Sequence, residues 1–199
     1  MKTFTRTLLL AALTTATGFF AACSQDAPAP DLSPAFEMTS RFEFAVPVTT
    51  GGTSPGSRVL DFTPAAIKGQ ALLTAPLLSL DFACSGNTVH FEVDRNQLPA
   101  KWLGTYAMRC QARPTAPVGL SFVHNWAGDV VAFRFSDTVP QLAGNLVITA
   151  YDSKRQLVSG RYEVTAPDQL APSQIARPGI PRCDVILTGR FTNLNVAVQ

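Results

Sequence analysis

Histidine is scarce in this chain, with two in 199 residues, so a three-histidine metal site cannot be built. The four cysteines include no Cys-x-x-Cys spacing, which argues against a structural zinc site or a thioredoxin-like redox pair. Lysine and arginine together number 16 against 14 acidic residues. There is no basic surplus of the kind that displaces phosphate counterions, and a nucleic-acid binder is excluded. Helical periodicity is nearly absent as well, which leaves strands to bury the apolar residues.

What is present begins with Lys2 and Arg6, an apolar run from Leu8 to Ala22, and then Cys23. That is the order of charge, hydrophobic core and small residues in a secretory signal. At 1.5 Å per residue the run falls short of a hydrocarbon layer of about 30 Å, and no basic stop-transfer cluster follows it. Phe20-Ala21-Ala22-Cys23 resembles the lipobox of bacterial lipoproteins, with Phe20 where that family usually has Leu. The resemblance implies cleavage after residue 22 and acylation of the Cys23 thiol. Two or three acyl chains anchor stably, because each buried CH₂ contributes about 0.8 kcal/mol. Loss of Lys2 and Arg6 leaves basic and acidic residues equal in number, so the mature chain is neutral. Ser24, where an aspartate would signal retention, resembles the sorting pattern of outer-membrane lipoproteins. It leaves the choice between periplasm and cell surface open.

The organisation expected is therefore a signal over residues 1–22, a Pro/Ala-rich tether over 23–38 and one domain over 39–199. Within the domain, short runs alternate apolar and polar residues between Gly, Pro, Asn and Asp punctuation. The candidate strands are Arg41–Val48, Arg58–Phe62, Leu77–Cys84, Thr88–Val93, Leu103–Ala112, Val118–Trp126, Val130–Phe135, Asn145–Tyr151, Leu157–Val164 and Asp184–Val196. One short helix is expected within Pro64–Ala75, and a long Pro-rich loop over Ala166–Arg182. The fold class is all-β: a single antiparallel β-sandwich, or a flattened barrel, of about 8–10 strands.

Alternation assigns faces. Leu78, Leu80, Phe82 and Cys84 point inward, as do Val89, Phe91 and Val93 on the next strand, with Ser85-Gly86-Asn87 as the turn. Tyr106, Met108 and Cys110 share a face, and so do Cys183, Val185, Leu187 and Phe191. One disulfide and one buried thiol are expected outside the cytosol. The partners stay open, with Cys84–Cys110 the pairing preferred.

Leu157-Val158-Ser159-Gly160-Arg161-Tyr162 and Ile186-Leu187-Thr188-Gly189-Arg190-Phe191 are one phrase written twice, with Trp102-Leu103-Gly104-Thr105-Tyr106 a looser copy. The glycine and the ring share a face, so each gap is available to a ring on a neighbouring strand, a device that pins register. Gly144-Asn145-Leu146-Val147-Ile148-Thr149-Ala150-Tyr151-Asp152 with these two phrases resembles uncharacterised lipoproteins of Bacteroidota over roughly residues 103–196. The resemblance implies a cell-envelope β-domain with a repeated Gly-x-Phe/Tyr strand motif, and no activity.

Candidate chemistry is thin. Gly52-Thr53-Ser54-Pro55-Gly56 matches the nucleophile elbow of α/β-hydrolases, but Pro55 has no N–H for an oxyanion hole and β-like residues follow. His90, Glu92 and Asp94 alternate onto one outward face, as a ligand row or merely the wet side of a strand. His124 shares a face with Leu120, Phe122 and Trp126 and reads as a core-edge residue with its ring nitrogens satisfied. Arg161 and Arg190 occupy equivalent repeat positions, as a paired anion site or as two solvated arginines. Trp102 is the best candidate for an exposed ring that stacks on sugar. The ligand surface is thus sought among His90, Glu92, Trp102, Arg161 and Arg190, with no catalytic set, metal or cofactor assigned.

The function expected is a lipid-anchored, non-enzymatic binding or structural module on the outer membrane, with another envelope protein or an extracellular glycan as partner. The alternative is a secreted hydrolase of glycans or peptides, for which Glu92 with Asp94 or Asp81 would supply the paired carboxylates.

Overall fold

A computed structural model describes residues 31–44, 56–126, 129–172 and 182–199. The signal segment, Cys23 and residues 52–55 lie outside them. The chain divides into Met1–Asp31 and Leu32–Gln199, and the second unit holds every strand described.

Among the described residues eleven strands form: β1 (Ala35–Phe44), β2 (Ser57–Asp61), β3 (Lys68–Leu73), β4 (Leu77–Cys84), β5 (Asn87–Asp94), β6 (Gly104–Ala107), β7 (Val118–Trp126), β8 (Asp129–Phe133), β9 (Ala143–Asp152), β10 (Leu157–Leu170) and β11 (Arg182–Val198). A single helical turn, α1 (Phe135–Thr138), follows β8. One sheet runs β6-β9-β10-β11-β1-β2, and the other β3-β4-β5-β7-β8. They join where the end of β11, Val196–Val198, pairs in parallel with Ala71–Leu73 of β3. All other strand pairs are antiparallel. The path ends at β6 and β8 without closing, so the architecture is an open β-sandwich and the flattened barrel is set aside.

The alternation read from sequence sets the core. Leu78, Leu80, Phe82, Val89, Phe91 and Val93 are all buried, and two residues with positive φ, Ser85 and Gly86, make the hairpin turn between their strands. Phe82 is the keystone between the sheets. Its ring centroid lies 5.1 Å from that of Phe191 and 5.7 Å from that of Tyr162, while Phe91 lies 4.9 Å from Tyr162. Burying such rings supplies most of the drive to close two sheets face to face.

Several expectations need correction. The sheet begins at Ala35, inside the segment read as tether, because β1 pairs with β11 from Ala35↔Thr192 to Phe44↔Cys183. Pro64–Ala75 is not a helix: Pro64–Ala66 is a 3₁₀ turn and Lys68–Leu73 is β3. A helix of that length is marginal by itself, whereas a strand there buries Ala71 and Leu73 and completes the ladder between β4 and β11. The loop after Ala166 is shorter than read, since β10 continues to Leu170 through a bulge. Residues 173–181 lie outside the described set.

The Cys84–Cys110 disulfide is absent: Cys84, Cys110 and Cys183 are all free and buried. Both residues of the expected pair point inward, but at opposite ends of the sheet. Cys84 is paired with Asn87 at one end of β5, whereas Cys110 follows Met108, bridged to Val118, which is paired with Val93 at the other end. The six steps from Asn87 to Val93 span about 20 Å at the rise of a strand. A disulfide needs Cα atoms within about 7 Å.

Candidate functional site

The outer face of the β6-to-β2 sheet carries a groove of about 580 Å³. Strand phase puts Tyr162, Val164, Leu187 and Phe191 inward, and so turns Arg161, Glu163 and Thr165 of β10 and Thr188 and Arg190 of β11 toward solvent. Register then lays the outward residues in rows across the strands. One row is Thr105, Val147, Arg161, Arg190 and Glu37, and the next contains Asn145, Glu163, Thr188 and Thr39.

At the centre of the first row Arg161 and Arg190 are direct cross-strand neighbours. Side chains so placed have Cβ atoms about 5 Å apart, and like charges there repel. The lateral neighbours of Arg161 are Arg190 and Val147, neither of which is an acid. Glu37 stands opposite Arg190, yet among the described residues neither arginine makes an ion pair. The groove is thus lined by two unpaired guanidiniums, the carboxylates of Glu37 and Glu163, the amide of Asn145 and several threonine hydroxyls.

His90 and Glu92 sit elsewhere, on the outer face of the other sheet. The His90 Nδ1–H donates to Asp81 at 2.6 Å, and Nε2 lies 3.5 Å from Glu92. The hydrogen bond that His90 donates to Asp81 is the main reason that its pKa is raised above the ordinary 6.5, with partial burial opposing it and the charge of Asp81 and the contact with Glu92 adding to it. Arg109 reaches Glu92 at 3.8 Å. Asp81, His90 and Ser121 stand opposite one another on β4, β5 and β7, the chemical order of a Ser-His-Asp set. Both ring nitrogens face carboxylates instead, and no hydrogen bond joins His90 to Ser121 among the described residues. Asp94 leaves the row: it accepts from the Asn96 N–H at 2.9 Å and from Gln97 at 3.2 Å, capping a 3₁₀ turn. The depression beside His90, Glu92, Arg109 and Ser136 holds about 190 Å³.

Trp102 is no exposed platform. Its ring is buried, 8% accessible, and stacks on Tyr151 with centroids 3.7 Å apart. A left-handed backbone, φ 57°, turns the ring in and presents its carbonyl to the Tyr106 hydroxyl at 2.5 Å. The surface sought among five residues therefore separates into an arginine groove on one outer face, a histidine cluster on the other, and a core tryptophan.

Glu37, Thr39, Thr105, Asn145, Glu163, Thr165 and Thr188 were missed as groove residues. Their outward phase could be counted from Arg161 and Arg190 for the two strands of the repeat. Nothing in the sequence signals that β1 and β9 flank those strands. His124, as expected, is inside: it is fully buried, its Nδ1 lies 2.8 Å from the Asn87 side-chain oxygen, and its ring packs 4.8 Å from Phe42. Burial first, and the charge of Arg58 second, push its pKa down to about 4.

Among the described residues, no group of three or more His, Cys, Asp or Glu side chains is placed to hold a metal ion, and no helix is long and apolar enough to cross a membrane. Comparison with protein-family models, with curated proteins and with solved structures finds no match to this chain. Fold and site define the class: an open, mainly antiparallel β-sandwich with a polar, arginine-centred groove on one outer face.

Proposed function

We propose that this chain is a lipid-anchored envelope protein that acts by binding, with the arginine-centred groove as its recognition surface. The carrying observation is the cross-strand pair Arg161–Arg190, held side by side without an ion-pair partner among the described residues in a groove of about 580 Å³. A sheet that places like charges next to each other gives up stability there, and a ligand that supplies the counter-charge recovers it. The anchor and the envelope address rest on the signal-like segment and the Phe20-Ala21-Ala22-Cys23 phrase. The outer membrane is the site proposed, with the domain facing the periplasm or the cell surface and an envelope protein or extracellular glycan as partner.

Fractionation tests the anchor. Membrane retention in wild type and release in Cys23→Ser is the expected result; unchanged retention in the variant overturns it. Protease shaving of intact cells then separates surface display from a periplasmic position.

A hydrolase is the second reading, favoured by the convergence of Asp81 and Glu92 on His90. Release of reducing ends or new amines by wild type, lost in both Asp81→Asn and Glu92→Gln, would support it.

A further inference from the structure

Two adjacent guanidiniums reach only the middle of the groove. The row from Thr105 to Glu37 crosses five strands, about 19 Å at the spacing of a sheet. Val147 stands directly beside Arg161, and around this apolar contact the lining is hydroxyl, amide and carboxylate: Thr105 and Asn145 toward β6, Glu37 and Thr39 toward β2, with Glu163 below Arg161. Threonine and asparagine both donate and accept, and glutamate accepts, which is the complement of a chain of hydroxyl groups. Guanidiniums in a fork bind a carboxylate or sulfate by paired charge-assisted hydrogen bonds. The charges of the groove balance, two arginines against Glu37 and Glu163, so a polyanion would be repelled at its flanks while a single oxyanion at the centre is favoured.

We propose that the groove takes a segment of an acidic saccharide, with one carboxylate or sulfate seated between Arg161 and Arg190 and ring hydroxyls against Glu37, Glu163 and Asn145. The assignment rests on the groove being the recognition surface. Among the described residues no ring lines it other than that of Tyr162, which packs inward on Phe82 and Phe91. Recognition is accordingly polar, and it weakens steeply with salt at an exposed site.

The test is calorimetric titration of the full chain in mild detergent with 3′-sialyllactose, which carries a single carboxylate, with neutral lactose and with sodium sulfate at matched ionic strength. Saturable binding of sialyllactose is expected, weakened tenfold or more in Arg161→Gln and in Arg190→Gln. Lactose should bind at least tenfold more weakly than sialyllactose. Thermal melts of both variants without ligand should lie at or above wild type, since each removes a like-charge neighbour, and this separates lost recognition from lost folding. Sulfate bound as tightly as the saccharide would overturn the saccharide and leave a bare oxyanion site. Lactose bound as well as sialyllactose, and equally by Arg161→Gln, would overturn the anion assignment. No response to any of the three would overturn both the saccharide assignment and the groove as recognition surface.

Discussion

The Tyr162 ring lies directly over Gly189 on the adjacent strand, so close that a β-carbon at position 189 would stand 2.4 Å from the ring. The relation is reciprocal: Phe191 covers Gly160, where a β-carbon would stand 2.6 Å from its ring and 2.3 Å from the Val147 carbonyl oxygen. The repeated phrase therefore locks β10 and β11 to each other, glycine to ring and ring to glycine. A register slip would drive a side chain into each ring.

Gly189→Ala should destabilise the fold by about 2–3 kcal/mol, because a stiff ring and the Glu37 backbone must both give way. Denaturant unfolding measures it. In the double variant with Tyr162→Leu the combined loss should be clearly smaller than the sum of the two single losses; strict additivity would refute the contact.

Tyr162 carries a second consequence. It is 2% accessible and, among the described residues, its hydroxyl has no hydrogen-bond partner. Burial moves its ionisation well above the ordinary phenol range. Tyr162→Phe removes a desolvated hydroxyl and keeps the ring over Gly189. The variant should be as stable as wild type or more so, by up to about 1 kcal/mol. A loss of stability would show that the hydroxyl is satisfied in solution.

The two histidines should pull stability in opposite directions with pH. His124 has its folded pKa pushed down to about 4, so the unfolded chain binds the proton first as pH falls below about 6.5, and stability drops by up to about 1.4 kcal/mol per unit down to pH 4. His90 has its folded pKa raised by Asp81. Its stabilisation is complete below about pH 6.5 and is lost as pH rises through the folded value, a small effect at a partly exposed pair. Melting curves of His90→Gln should therefore be flatter than wild type above pH 6.5, with the acid limb unchanged. Loss of the acid limb in that variant would reverse the assignment.

Thiol labelling checks the cysteines. In the Cys23→Ser chain, the remaining three thiols should resist a maleimide reagent under native conditions and all react in denaturant without reductant, since each is free and buried. Fewer than three labelled thiols would indicate a disulfide.

Much of the fold was legible in the residues themselves. Alternation alone identified the inward sets of β4 and β5, because a strand buried on one face must repeat with period two. The Gly-x-aromatic phrase identified the lock between the last two strands, because only glycine leaves room for a ring. What period two cannot encode is which strand lies beside which. The Pro/Ala-rich stretch before Thr39 reads as tether, and it enters the sheet only because β11 offers it a ladder. Cys84 and Cys110 share an inward phase, yet position along the strand keeps them apart. Trp102 reads as exposed until a left-handed residue turns its ring onto Tyr151. Arg161 and Arg190 were visible as equivalents, and it is cross-strand register, a relation between distant parts of the chain, that made them neighbours in one groove.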